Sequence, residues 1–187
     1  MSKTEREKMA AGDWYTCIDP ELEEMRIKAR NAVHEHNILA PAHRGNIGPQ
    51  LKTLMRTVAA DTWIEAPFHC AYGFNISLAD GVYINAGCVF LDTAPLAIGS
   101  DTMLGPAVQI YCAQHHQDAE KRTAGLEVAL PVTIGRRVWI GGGAIILPGV
   151  EIADDAIVGA GSVVVKNVPA GARIAGNPAR PLAKPVR

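Results

Sequence analysis

The chain has 187 residues, with 18 basic side chains against 19 acidic ones and a formal net charge of -1. That balance argues against nucleic acid or an anionic membrane surface as a partner, and no apolar run is long enough to span a bilayer. The cysteines at 17, 70, 88 and 112 form neither a CxxC pair nor a zinc-type spacing, and scattered thiols of this kind suit a reducing cytoplasm.

Residues 1–60 are charged, alanine-rich and helical in period, and we read them as a leader domain. The N-terminal MSKTEREKMAAG lacks the apolar core of a signal peptide. Thr4 followed by Glu7 predicts a capping box opening a short helix, with Gly12 as its stop. Asp19 and Pro20 predict the cap and first turn of a second helix, whose apolar face carries Leu22, Met25, Ala29, Val33 and His36. The stretch 37–48 reads as a connector. A third helix is expected near Pro49, with Leu51, Leu54, Met55 and Val58 as its stripe.

Residues 61–187 have a different texture, rich in Gly, Val and Ile and repeating at six. The beat runs through Leu78, Ile84 and Phe90, then Ile98, Leu104 and Ile110, and resumes at Ile134, Ile140, Ile146, Ile152, Val158 and Val164. The step from Phe90 to Ile98 is two residues too long, which predicts a corner insertion around Asp92–Pro95. Residues 111–131 lose the beat and read as an excursion from a regular body. Strands alternate faces every two residues, so one inward aliphatic per hexad with a tight turn describes one side of a three-sided coil, a parallel β-helix. Ile134 then stacks on Ile152, Ile140 on Val158 and Ile146 on Val164. Spacing does not set the hand of the coil, because parallel crossovers are ordinarily right-handed.

The hexad rows, the segment VTIGRRVWIGGGAIILPGVEI, the loop IYCAQHH, the closing IAGNPAR and the leader EKMAAGDWYTCIDPELEEMRIKAR together resemble the maltose and galactoside O-acetyltransferase group. The likeness spans nearly the whole chain. It implies a left-handed coil, a homotrimer with active sites between neighbouring subunits, acetyl-coenzyme A as donor, no required metal, and a sugar hydroxyl as acceptor.

The resemblance makes His115 the general base; an imidazole near neutrality suits removal of a hydroxyl proton during attack on a thioester. On residues alone, a surface-loop histidine with no task is the favoured reading. His116 is read as a loop residue. Asn85 and Asp92 match positions at the acceptor, against plain readings as a corner asparagine and a turn aspartate; Asp19, by its plain reading a helix cap, is taken as an acceptor contact because it lies close to Cys17, where some relatives carry an acceptor-binding carboxylate. Trp139 matches a tryptophan lining the donor–acceptor junction, and its ring calls for a cleft or subunit contact. Gly142 and Ala160 match positions whose backbone meets the donor's arm, where amides could hold an oxyanion. Lys166 and Arg180 match contacts to the donor's phosphates; otherwise they are solvated charges. The chain departs from the group at Ala71 and Cys17 on the acceptor side, and at Val165 and Ala183 on the donor side. Losing such hydrogen-bond partners alters which acceptors bind.

Three other functions share the coil. An acetyltransferase inactivating a hydroxylated antibiotic would keep His115 and change the acceptor pocket. A metal-dependent carbonic anhydrase needs three converging histidines, whereas His115 and His116 are adjacent and His69 is remote. A non-catalytic binding module would leave the tryptophan in the row and the GNPAR ending without a purpose.

Overall fold

A computed structural model describes residues 2–182. Helix α1 (Glu5–Ala11) opens with the expected capping box, in which the Thr4 hydroxyl accepts from Glu7 N–H and the Glu7 carboxylate accepts from Thr4 N–H. Gly12 closes it in the left-handed region at φ 71. Helix α2 (Pro20–Ile38) starts at Asp19, whose Oδ1 accepts from Leu22 N–H at 3.0 Å. The connector is more ordered than expected: it contains the short helix α3 (Pro41–Arg44) before α4 (Pro49–Leu54). Each of these two helices has proline in its first turn, where the missing N–H costs nothing.

Helix α4 lies close against α2 because residue 48 is glycine. A Cβ there would stand 2.9 Å from the His36 Cα, and Gly48 N–H donates to the buried His36 Nδ1 instead. Asn37 docks α2 on the coil by mimicking a strand neighbour: its amide donates to Phe68 C=O and accepts from Phe68 N–H.

The coil is three parallel sheets wound about one apolar centre. Face one contains Thr57–Val58, Ile76–Leu78, Leu96–Ile98, Val132–Ile134 and Glu151–Ile152. Face two contains Trp63–Ile64, Tyr83–Ile84, Met103–Leu104, Trp139–Ile140, Ile157–Val158 and Arg173–Ala175, with Arg180–Pro181 added antiparallel. Face three contains His69–Cys70, Val89–Leu91, Gln109–Tyr111, Ile145–Ile146 and Val163–Val164. The expected stacking holds: Ile134 pairs with Ile152, Ile140 with Val158 and Ile146 with Val164, all buried. Close corner packing excludes side chains at specific points, and a Cβ on Gly141 would fall 2.5 Å from Ala160 N.

Face two also exposes a row that the beat alone does not announce. Trp63, Tyr83, Met103, Trp139 and Ile157 are successive register partners one residue before each inward beat. Met103 is 52% exposed and Trp139 53%. Trp139 is therefore one member of an outward apolar ribbon, not an isolated bulky residue.

The leader and the coil share a single apolar core that runs from Met9 and Leu22 to Val164 and Ile174. The coil's first strand, Thr57–Val58, lies just ahead of residue 60. The chain leaves the coil after Cys112 and is pinned where it returns by Leu130 N–H donating to Cys112 C=O at 2.8 Å. Between them, strand Ala113–His115, helix α5 (Ala119–Thr123) and strand Leu126–Ala129 form a hairpin. The leader strand Tyr15–Thr16 adds antiparallel to its returning arm, making a three-stranded sheet. No helix among the described residues is long and apolar enough to cross a membrane.

Candidate functional site

A cavity of about 650 Å³ lies where α2, the hairpin and face three meet. Cys17, Ile18, Asp19, Glu23, Arg26, Ala71, Tyr72, Leu91, Thr93, Ala113, His115 and Glu127 are among its walls. His115 ends its strand, with a side chain 56% exposed. Its Nδ1 stands 3.5 Å from Oε2 of Glu127, a carboxylate almost fully buried behind it. Arg26 crosses the wall, donating to Glu23 Oε2, the Tyr72 hydroxyl and Cys17 C=O. Burial pushes the Tyr72 phenol up to about 12, so it stays neutral. Cys17 is the one half-buried thiol of the four, and burial, then the Glu127 carboxylate, raises its pKa.

The structure separates the expected site residues into three groups. His115 and Asp19 share the large cavity, with Asp19 also capping α2. Asp92 lies behind its wall instead of facing it. The side chain is fully buried, and Oδ1 accepts from Ala71 N–H and Tyr72 N–H, both at 2.9 Å. Its Oδ2 has no hydrogen-bond partner among the described residues, and burial raises the pKa to about 7. Asp92 thus shapes the cavity through the segment it holds, whereas its neighbour Thr93 lines the wall.

The second group follows the corner between faces two and three. Asn85, Gly105, Gly141 and Gly159 each succeed an inward beat and form one hydrogen-bonded column, with Asn85 N–H donating to Leu104 C=O and Gly105 N–H to Ile140 C=O. Asn85 Oδ1 accepts from Ala86 N–H, as a corner asparagine does. Gly142 and Ala160 sit on the same edge, and among the described residues neither N–H donates to a backbone carbonyl. Trp139 precedes that corner on face two. None of these residues lines the His115 cavity. The third group is Lys166 and Arg180, which share a cleft of about 350 Å³ with Val165 and Ala179 at the coil's C-terminal end. Ala183 lies outside the described residues.

Sequence reading missed Glu127, Tyr15, Arg26 and Thr93. The alternation Leu-Glu-Val-Ala at 126–129 was the available sign that Glu127 occupies a strand. His116 has a structural place on the other side of that sheet, its ring 4.7 Å from that of Trp14. Among the described residues no three metal-ligating side chains converge.

A family model for the bacterial transferase hexapeptide (six repeats) matches residues 131–166, and one for the maltose acetyltransferase hexapeptide capping motif matches residues 8–58. Nodulation protein L of Rhizobium meliloti is 48% identical over 96% of this chain and 98% of its own. The crystal structure of a maltose O-acetyltransferase from Clostridium difficile superposes with a TM-score of 0.94 at 37% identity, covering both chains completely. The chain belongs to the hexapeptide-repeat acetyltransferases. Another member, a hexapeptide-repeat acetyltransferase of Vibrio cholerae complexed with acetyl-coenzyme A, aligns at TM-score 0.86 and 34% identity over 97% of this chain and 98% of that one. Within this family, the corner edge and the two clefts are the surfaces left to account for.

Proposed function

We propose that this acetyltransferase moves an acetyl group from acetyl-coenzyme A to a sugar hydroxyl, with His115 as general base. The observation that carries the reading is an exposed imidazole opening into a cavity of about 650 Å³, backed by a buried carboxylate. The acceptor oxygen attacks the thioester carbon while His115 takes its proton. The tetrahedral oxyanion collapses, the carbon–sulfur bond breaks, and the departing thiolate takes the proton back, leaving an ester and free thiol. The unengaged N–H groups of Gly142 and Ala160 suit the oxyanion, and Lys166 with Arg180 suits the donor's phosphates.

His115 lies apart from the corner edge within one chain, and face two leaves an apolar ribbon uncovered. Both favour a homotrimer in which neighbouring copies complete each site, with the leader, residues 1–60, serving as a cap that supplies one acceptor wall. Asp19, Glu23 and Glu127 against Arg26 favour neutral or amino sugars over sugar acids. The apolar wall of Ile18, Leu91 and Ala113 brings hydroxylated drugs into the test as the second acceptor class.

The test measures thiol release from acetyl-coenzyme A against mono- and disaccharides, amino sugars and drugs. His115→Ala should lower kcat/KM by about 10²–10⁴-fold on the best acceptor. Undiminished activity in that variant refutes the general base, and silence across the panel refutes the acceptor class.

A further inference from the structure

The sheet made by the leader strand and the hairpin has two faces. Tyr15 is the register partner of Glu127, and Glu127 of His115, so these three form one row on the side of the large cavity. Trp14 and His116, one position along on the two outer strands, project to the opposite side, where their rings meet at 4.7 Å and 52°. His115 itself is loosely held. It ends its strand, its side chain is 56% exposed, and the Glu127 oxygen nearest its Nδ1 stands 3.5 Å away, outside a well-formed hydrogen bond. Its aim therefore depends on the backbone that carries it.

His116 is the opposite case. Its N–H donates to Leu126 C=O at 3.0 Å, joining the hairpin's two arms beyond the end of the strand. Its C=O accepts from Arg122 Nη1 at 3.1 Å, and the same nitrogen reaches Gln117 C=O at 3.0 Å. Its Nδ1 accepts from Asp118 N–H at 3.0 Å, two residues on, the link by which an asparagine side chain closes an Asx turn. Asp118 in turn caps α5 through Lys121 N–H. The ring is left to lie on Trp14, a leader side chain 45% exposed. One residue thus ties together the outgoing strand, the turn with its helix, and the leader.

We propose that His116, clamped on Trp14, is a positioning residue for His115: it fixes the backbone immediately after the base and so holds that imidazole where it can take the acceptor's proton. This rests on the general-base reading above. The adjacent histidines divide the work because neighbours along a strand face opposite ways, one ring toward the cavity and the other anchoring the strand from behind. The clamp also gives the leader a part in the chemistry, since Trp14 is its contribution.

Steady-state kinetics and thermal melting of His116→Ala, His116→Asn, His116→Phe, Trp14→Ala and His115→Ala test the clamp, with His116→Ala and Trp14→Ala each also combined with His115→Ala. His116→Ala should lower kcat by about 10–100-fold, the cost of displacing a reacting group by about 1 Å, with both KM values within about threefold. Asparagine keeps the turn and phenylalanine keeps the ring contact, so each should recover part of that loss, to about 3–10-fold below wild type. Trp14→Ala should fall in the same range as these two. Neither alanine variant should reduce activity further once His115 is alanine, because residues acting through one group are non-additive. Further loss on the His115→Ala background, a loss confined to acceptor KM, or an unchanged kcat in both His116→Ala and Trp14→Ala overturns the proposal. A His116→Asn variant as inactive as His115→Ala also overturns it, by making the second imidazole a proton carrier in its own right. Should His116→Ala fail to fold, Trp14→Ala changes a half-exposed side chain and decides by the same cycle. Full activity in His115→Ala removes both readings, whereas an inactive His115→Ala beside fully active His116→Ala and Trp14→Ala removes only this one.

Discussion

Replacing Asp92 with asparagine should make the protein more stable at pH 8 and remove a pH dependence from the wild type. Two effects oppose each other at this side chain. The N–H groups of Ala71 and Tyr72 favour the carboxylate, whereas full burial with Oδ2 unpartnered favours the neutral acid. Burial wins, and the pKa rises from 3.8 to about 7. The folded state therefore holds this proton more tightly than the unfolded chain does. Stability from this group is complete below about pH 4 and is lost as pH rises to about 7, where the folded group ionises too. A shift of about three units at about 1.4 kcal/mol each makes the loss about 4 kcal/mol. Asparagine keeps the acceptor oxygen for both N–H groups and carries no charge to bury. Urea unfolding of wild type and Asp92→Asn at pH 5 and pH 8, at one fixed protomer concentration, measures the difference. The variant should gain on the wild type by a few kcal/mol between the two pH values. If the difference is flat, or the variant loses ground at pH 8, the N–H groups outweigh burial and Asp92 is a stabilising anion.

Gly141→Ala forces a Cβ to 2.5 Å from the Ala160 backbone nitrogen, so the two coil turns must separate; a loss of about 1–3 kcal/mol in urea unfolding is expected. Trp139→Asp puts a charge into the exposed apolar ribbon of face two and should shift the proposed trimer toward monomer in sedimentation velocity. A wild type that sediments as a monomer would refute the interface.

The repeat of six determined a great deal by itself. Each hexad places one aliphatic side chain inward, and identical local geometry repeated along the chain must stack, so the beat from Leu78 to Val164 and the stacking of Ile134 on Ile152, Ile140 on Val158 and Ile146 on Val164 followed from counting. The caps at Thr4, Gly12 and Asp19 were equally legible, because capping involves groups within a few residues of one another. The odd step between Phe90 and Ile98 marked a corner for the same local reason.

The tertiary structure decided what depends on distant partners. Whether Asp92 faces the cavity or lies behind its wall turns on the 71–72 backbone packed over it, which no spacing near residue 92 encodes. The row of Tyr15, Glu127 and His115 spans segments 112 residues apart at its Tyr15–Glu127 hydrogen bond. Their strands are two to four residues long, too short for alternation to show which side chains share a face. Only pairing of the leader strand with the hairpin sets that register, and with it the carboxylate beside the imidazole.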